Sequence, residues 1–210
     1  MKTNVYIDGF NLYHRAVQGT PYKWLDLSKL CELILPNHDI NQIRYFTAYV
    51  QARPNDPNQP RRQLTYLRAL RTIPTLSIHF GLFRTDPKKL PLTDPNPRAP
   101  RRFVEVDVTT EKGSDVNLAT LLLSDGYHGD YEQAVVISND SDLALPIQTV
   151  RDDLKLPVGV VNPSASKRSA RQLEDASTFQ LHIFKKSLRD SQFPPTLTDS
   201  QGAITKPSVW

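Results

Sequence analysis

Two short apolar runs in this chain each end at an aspartate. The run at residues 134–137 (AVVI) is soon followed by Asp140 and Asp142, and a similar run at residues 5–7 (VYI) leads directly to Asp8. Short apolar runs of this kind are typical of strands buried on both faces of a parallel sheet. Ligands of such sheets bind just beyond the carboxyl ends of the strands. The pattern therefore favours a site at these aspartates. The alternative is an ordinary helix N-cap, formed by Asp142 or the residue before it.

These aspartates are expected to crowd together. Adjacent strands lie about 4.8 Å apart, and strands that flank the switch point of such a sheet are neighbours, which brings Asp8 close to Asp140. Ser114 is predicted to cap a helix, so Asp115 falls in its first turn and can point to the same place. Carboxylates this close need protons or a cation between them. Oxygen ligands without His or Cys suit Mg²⁺ or Mn²⁺, and such a cation fits phosphodiester hydrolysis because it activates a bound water.

The elements that must position these aspartates alternate between strand and helix. In the first half, strand patterns at residues 43–50 and 76–83 flank a helix pattern at 60–73, after an earlier strand and helix. This order is typical of a parallel sheet with right-handed crossovers. Further strands are predicted at 103–108, 134–137, 157–161 and, as an edge strand, 179–184, with helices beginning near 114, 143 and 167. The sequence therefore predicts an α/β fold whose central sheet is mainly parallel.

Residues 84–102 interrupt this alternation. They contain five prolines and six basic residues, a composition typical of an extended, poorly packed insertion. The alternating strand at 103–108 is predicted to return as a hairpin arm beside the third strand. We place the domain at residues 1–186, with 84–102 as a proline-rich hairpin insertion. Residues 187–210 are polar and dotted with prolines, and we predict that they form a flexible tail.

Composition excludes several classes of protein. The chain of 210 residues has one cysteine and no long apolar run, so no internal disulfide, cysteine-based zinc site or membrane-spanning helix is predicted. The first residues also lack the apolar stretch of a signal peptide. The cysteine, Cys31, lies in an apolar helical pattern, which predicts a core position and fits a reducing cytoplasm. The net charge of +4 permits a polyanionic partner.

Basic residues are concentrated in two groups that could contact such a partner. One group lies in or beside the insertion, and the other follows the last buried strand. Together they are predicted to form a groove that follows a nucleic acid backbone, with Tyr13 or Tyr49 as stacking partners. For each of them the alternative is a solvated surface charge. The predicted substrate-binding residues are Arg84, Arg98, Arg101, Arg102, Lys112, Lys167, Arg168 and Arg171.

Three motifs resemble those of a known family. Residues 8–12 (DGFNL), 112–115 (KGSD) and 138–142 (SNDSD) are similar to the NYN domain, in the LabA-like branch of the PIN-like nuclease superfamily. The resemblance implies a three-layer α/β/α PIN-like (Rossmann-like) fold, dependence on Mg²⁺ or Mn²⁺, and usually RNA as substrate. It also implies the site, in which the catalytic and metal-binding residues are Asp8, Asp115, Asp140 and Asp142, with Asn11 as a polar partner. Asn139 departs from the family pattern, which commonly has Gly at this position.

These observations predict a cytoplasmic, metal-dependent ribonuclease that acts as an endonuclease. RNA is the predicted partner, no membrane partner is predicted, and a homo-oligomer is left open. One alternative is a module of the same fold that binds RNA or protein with little or no catalysis. Another is a phosphatase that uses Asp8 as nucleophile. This mechanism usually needs a second aspartate two residues later, where the chain has Phe10.

Overall fold

A central sheet of six parallel strands organises the chain. The computed structural model describes residues 1–93, 101–164 and 168–210. Its strands are β1 (Lys2–Asp8), β2 (Asp39–Thr47), β3 (Leu76–Phe80), β4 (Leu82–Pro91), β5 (Phe103–Lys112), β6 (Gln133–Ile137), β7 (Val158–Asn162), β8 (Phe179–His182), β9 (Thr196–Asp199) and β10 (Gly202–Thr205). The central sheet has the order β3-β2-β1-β6-β7-β8, and all its neighbouring strands are parallel. This order confirms the predicted sheet and places the carboxyl ends of β1 and β6 side by side.

Helices cover both faces of this sheet. They are α1 (Gly9–Leu12), α2 (Leu27–Ile34), α3 (Gln59–Leu70), α4 (Ser114–His128), α5 (Ala144–Asp152), α6 (Arg171–Ala176) and α7 (Lys185–Asp190), with a π-helical turn at Tyr13–Val17 and a 3₁₀ turn at Ser141–Leu143. Side chains of β1 alternate between the two layers. Val5 and Ile7 share a core with α2 and α3, whereas Tyr6 shares one with α4, α5 and α6. Because both faces are covered, β6 is buried along its whole length. The predicted three-layer α/β/α fold is confirmed.

Helix α4 begins differently from the prediction. Its N-cap is Gly113, whose backbone is left-handed with a φ of 95°, and Ser114 is already inside the helix. Glycine suits this position because residues with a Cβ rarely adopt a positive φ. The prediction that Ser114 is the cap is therefore wrong, but Asp115 still lies in the first turn.

The predicted insertion is a regular hairpin for most of its described length. Strands β4 and β5 pair antiparallel from Leu82 opposite Lys112 to Pro91 opposite Phe103. The third strand of the central sheet ends at Phe80, so the prediction that it pairs with residues 103–108 is wrong: their partner is a separate strand. Gly81 joins β3 and β4, where a Cβ would lie 2.3 Å from Oε1 of Glu111.

Pro87 and Pro91 are accommodated in β4 because this strand is paired along one edge only within the described residues. Residues 94–100, which include the predicted site residue Arg98, lie outside the described residues. Beyond the ends of the strands the pairing extends to the backbone N–H of Leu92, which donates to the carbonyl of Arg102 over 2.8 Å.

Residues 187–210 are packed against the domain, so the prediction of a flexible tail is wrong. They include most of α7 and the β9–β10 hairpin, with Leu188, Phe193 and Ile204 buried. The indole of Trp24 donates a hydrogen bond of 2.8 Å to the carbonyl of Pro194. An ion pair between Asp199 and Arg68 of α3 adds a further link. Scattered apolar residues, each inserted into an existing core, hold this segment in place.

Two smaller observations concern the composition of the fold. Cys31 is fully buried within α2, as predicted. Across the three described ranges, every helix is too short or too polar to cross a membrane.

Candidate functional site

Asp8 and Asp140 meet at the carboxyl edge of the central sheet. Strand β1 pairs with β6 so that Ile7 lies opposite Ile137, and the two chains leave the sheet together. The hydroxyl of Ser138 donates to Oδ2 of Asp8 over 2.9 Å and accepts from the backbone N–H of Asp140 over 3.1 Å. A single side chain therefore joins the two aspartates, as the sheet order requires.

Both aspartates also cap local turns. Oδ1 of Asp8 accepts from the backbone N–H of Asn11 over 2.9 Å, and Asp8 is the N-cap of α1. Oδ1 of Asp140 accepts from the N–H of Asp142 over 3.1 Å and caps the 3₁₀ turn. The alternative in which Asp142 or the residue before it forms the cap is therefore wrong. The side chain of Asn11 accepts from the N–H of Asn139 over 3.1 Å, which ties the first and sixth strand ends together.

Asp115 faces this pair from the first turn of α4. Burial raises the pKa of the Asp115 carboxyl to about 6, and the charges of Asp8 and Asp140 act in the same direction, followed by those of Glu111 and Asp142. Burial also raises the pKa of Asp8, whereas the hydrogen bonds from Asn11 and Ser138 lower it. Asp142 is exposed and contributes through its charge.

Glu111 is a carboxylate of this site that the sequence did not identify. It lies near the end of β5, and its Oε1 accepts from the backbone N–H of Ser114 over 3.0 Å. Its pairing partner on β4, Phe83, packs edge-on against Phe10 of α1 with ring centroids 5.6 Å apart. The sequence offered one signal for Glu111, its position three residues before the predicted helix start. The register of the hairpin, however, decides where the Glu111 side chain lies.

The carboxylates have no basic partner. Among the described residues, none of Asp8, Glu111, Asp115 and Asp140 forms an ion pair with lysine or arginine. Their oxygen donors suit a hard divalent cation. In the arrangement seen, however, no three acidic, histidine or cysteine side chains of the described residues are grouped closely enough to hold a metal ion. The donor type therefore fits Mg²⁺ or Mn²⁺, and side-chain rotation would have to close the site around it.

The carboxylates occupy one end of a cavity of about 550 Å³. The other end contains Lys23, Arg53 and Arg62 around Asp56. Aromatic side chains form much of the wall, and these are Phe10, Tyr13, Tyr45, Tyr66, Phe83 and Trp210. The cavity thus joins an acidic end to a basic end through aromatic surfaces.

The described members of the predicted substrate-binding set do not line this cavity. Phe83 and Glu111 face it from one side of the hairpin, whereas Arg84 and Lys112 belong to pairs on the opposite side. The other described members are exposed and do not line the cavity either: Arg101, Arg102, Arg168 and Arg171. Arg98 and Lys167 lie outside the described residues. Of the two stacking candidates, Tyr13 lines the cavity, and Tyr49 stacks on Phe80 at a centroid distance of 4.4 Å.

Asn139 has a structural role that explains its departure from the family pattern. Its Oδ1 accepts from the backbone N–H of Ala170 over 2.7 Å, and its Nδ2 donates to the carbonyl of Arg168 over 3.4 Å. A glycine could form neither hydrogen bond. The side chain therefore ties the loop after β6 to the segment that leads into α6.

The parallel sheet with helices on both faces is consistent with the PIN-like fold. The chain belongs to the NYN domain family, whose sequence profile matches residues 2–183. The family resemblance is thus confirmed, and it makes nuclease chemistry the general class of function that the family suggests. Residues 184–210, including Trp210 in the cavity wall, lie beyond the matched range.

Two further proteins are similar to this chain. One is the 6-hydroxy-3-succinoylpyridine 3-monooxygenase HspA of Pseudomonas putida, which is 34% identical over an alignment that covers all of this chain and 75% of the relative. The other is a crystal structure of a protein of unknown function from Vibrio parahaemolyticus. It superposes with a TM-score of 0.57 at 13% identity and covers 91% of this chain and 96% of the other. This second similarity concerns the fold alone.

Proposed function

We propose that the chain is a metal-dependent ribonuclease whose carboxylates hold Mg²⁺ or Mn²⁺. One observation carries this proposal: Asp8, Asp115 and Asp140, brought together from two strand ends and a helix start, line one cavity and form no ion pair with any described lysine or arginine. A cluster of uncompensated carboxylates at the switch point of a parallel sheet is a site that a divalent cation would complete. Membership of the NYN family supports the same chemistry.

The three aspartates are positioned in different ways and have different roles in the proposed site. Asp8 and Asp140 are held in place by Ser138, and Asp8 also by the N–H of Asn11, so their oxygens are oriented before any ligand arrives. Asp115 completes the ligand set from α4. When bound, the cation supplies a water of lowered pKa and stabilises charge on the attacked phosphate. Without the cation, Asp115 holds a proton over part of the acidic range, because its pKa is raised to about 6.

A cleavage assay on generic single-stranded RNA tests the proposal. Cleavage by the wild type requires Mg²⁺ or Mn²⁺, stops with a chelator and returns when metal is restored. Each of Asp8→Asn, Asp115→Asn and Asp140→Asn loses at least about 100-fold in rate, because a missing ligand weakens the ion and misplaces its water. The matched control is Asp152→Asn, which changes a surface ion pair outside the cavity and leaves the rate unchanged.

Two results would count against the enzyme. Cleavage that survives in all three variants, or that needs no metal, contradicts the mechanism. RNA binding without cleavage under any metal favours the alternative of a binding module. In that case the three variants bind RNA as well as the wild type or better, since each removes a negative charge beside a polyanion.

A second candidate function is the oxygenation of a substituted pyridine. It is supported by the name of the Pseudomonas putida relative, which is 34% identical across the whole of this chain. A monooxygenase consumes molecular oxygen and a two-electron reductant, so the test supplies 6-hydroxy-3-succinoylpyridine with oxygen and a reduced nicotinamide cofactor. Substrate-dependent oxygen uptake with formation of a hydroxylated product supports this candidate. If no such oxygen uptake is observed and RNA is cleaved, the ribonuclease proposal is retained.

A further inference from the structure

The basic end of the cavity is built by one face of α3 and the segment around residue 23. Gln59, Arg62, Gln63 and Tyr66 follow the spacing of a single helix face, and all four line the cavity. Lys23 also lines the cavity and lies close enough to help lower the pKa of Asp56, whose main partner is Arg62. Three cations therefore share this end with one carboxylate.

Ion pairs among the described residues neutralise only part of the positive charge of these cations. Within the described ranges, Arg62 donates to Asp56 through Nη2, and its Nε and Nη1 have no acceptor. Lys23 and Arg53 form no ion pair in the same ranges. Two positive charges remain after Asp56 is counted, and free guanidinium N–H groups point to an anionic ligand with planar oxygens.

The walls between the two ends are aromatic and partly supplied by the docked C-terminal segment. Trp210 packs against Tyr66 with ring centroids 5.9 Å apart and against Trp24 at 6.3 Å. Tyr13 lies close enough to Arg62 to influence the pKa of its guanidinium. A ring entering beside Arg62 therefore meets Tyr13 and Tyr66. The volume of about 550 Å³ lies within the range of small-molecule sites.

We propose that this end of the cavity binds a small aromatic carboxylate. Its anionic group lies at Lys23, Arg53 and Arg62, and its ring lies against Tyr13, Tyr66 and Trp210. The cations distinguish this ligand from an uncharged nucleobase, and a nucleotide, whose phosphate could also bind them, is separated from the carboxylate by titration. The site is separate from the carboxylate cluster, and its occupancy depends neither on a metal ion nor on RNA cleavage.

Calorimetric titration in the absence of divalent cations tests the proposal, with three probes of nearly equal shape. 3-Phenylpropanoate binds at one site per chain. Its uncharged analogue 3-phenylpropanamide and its saturated analogue 3-cyclohexylpropanoate each bind at least about tenfold more weakly. These comparisons use the wild-type protein, so they do not depend on the folding of any variant.

Variants then locate the two halves of the site. Arg62→Gln and Lys23→Gln each weaken 3-phenylpropanoate binding by about fivefold to tenfold and leave the weak binding of the amide unchanged. Trp210→Leu weakens the aromatic acid more than the cyclohexyl acid. The control is Arg151→Gln, another arginine paired with an aspartate but outside the cavity, and it changes neither affinity.

Several results would overturn the assignment. Equal affinities for 3-phenylpropanoate and its amide would show that the cations do not contribute to binding. No detectable binding of the acid would contradict the proposed site as a whole. Binding of adenosine, uridine or their 5′-monophosphates in preference to the acid would make the cavity a nucleobase or nucleotide pocket. Failure of the RNA cleavage assay, by contrast, leaves this proposal standing.

Discussion

Asp8 and Asp125 are equally buried aspartates in opposite surroundings. Each is about 4% exposed. Asp125 accepts two hydrogen bonds from the guanidinium of Arg44, at 2.6 and 2.9 Å, and one of 2.6 Å from the hydroxyl of Tyr6. Asp8 accepts hydrogen bonds from neutral groups only, and the neighbouring charge of Asp140 raises its pKa further.

The difference separates a structural carboxylate, Asp125, from Asp8, the one that we propose to bind a metal ion. A buried charge with a complete set of partners belongs to the core, because removing a partner leaves an uncompensated charge. A buried carboxylate beside other carboxylates lowers the free energy of unfolding of the metal-free protein, and a bound cation would restore it. Burial alone therefore does not identify the site. The identity of the neighbouring charges does.

The largest expected effect comes from removing each aspartate's charge in the absence of metal. Asp125→Asn lowers the free energy of unfolding by about 3 kcal/mol, because it leaves Arg44 buried without its counter-charge. Asp8→Asn, at the same burial, leaves it unchanged or slightly higher, since a repelling charge disappears. Urea denaturation in the presence of a chelator measures both. Equal losses in the two variants would mean that Asp8 has a structural partner after all.

Metal binding gives the next largest effect. Mn²⁺ at a hundredfold excess over its dissociation constant raises the free energy of unfolding of the wild type by about 2.7 kcal/mol. Asp8→Asn and Asp140→Asn lose most of this stabilisation, and Asp125→Asn retains it despite its lower starting stability. Thermal melting across a Mn²⁺ series provides the measurement. A stabilisation that persists in Asp8→Asn would place the ion elsewhere.

Ser138→Ala tests the neutral partners of Asp8. The substitution removes the donor to Asp8 and the acceptor of the Asp140 N–H, so we expect a loss of about 1.5 kcal/mol. The loss is smaller than for Asp125→Asn because Asp8 can take up a proton. Ser177→Ala, at a partly exposed serine whose hydroxyl donates to the carbonyl of Glu174 outside the cavity, is the control. Denaturation over a pH series should show the loss growing as the pH rises, because burial raises the pKa of Asp8 and the hydroxyl stabilises its ionised form.

The smallest effect is a pH dependence at Asp115. Its pKa is about 6 in the folded protein against an ordinary value of 3.8, so the folded state binds the proton more tightly. Stability is therefore fully retained below about pH 4 and lost as the pH rises towards and through 6. Partial exposure to water reduces the loss to about 1 kcal/mol. The difference in unfolding free energy between wild type and Asp115→Asn, followed from pH 4 to 7.5 without metal, isolates this contribution. A flat difference would contradict the crowding.

Sequence alone predicted the parts of the fold that local pattern determines. Short apolar runs such as residues 134–137 predicted strands buried on both faces, and the alternation of strand and helix then predicted the parallel order. Asp8 and Asp140 followed from that order, because they come directly after neighbouring strands. The alternation of residues 103–108 likewise predicted a strand, although its partner was wrong. Local periodicity does not determine which distant strand a given strand pairs with.

The parts of the site that sequence missed depend on tertiary packing. Glu111 reaches the cavity because β4 and β5 pair in one particular register. Trp210 reaches it because a polar-looking segment docks through a few apolar residues, such as Phe193. The basic residues of the hairpin were predicted to contact the substrate because many of them are concentrated there. Arg84 and Lys112, however, belong to the face of the hairpin opposite Glu111. Composition indicates which charges are present, and only the backbone decides which way they face.

The docking of the C-terminal segment has a consequence for spectroscopy. The two tryptophans of the chain, Trp24 and Trp210, lie 6.3 Å apart in one aromatic cluster. All indole emission therefore originates beside the cavity and the docked segment, and none from the carboxylate edge of the sheet. Quenching or a spectral shift during mild denaturation will report release of this segment, before or together with the sheet, without any added label.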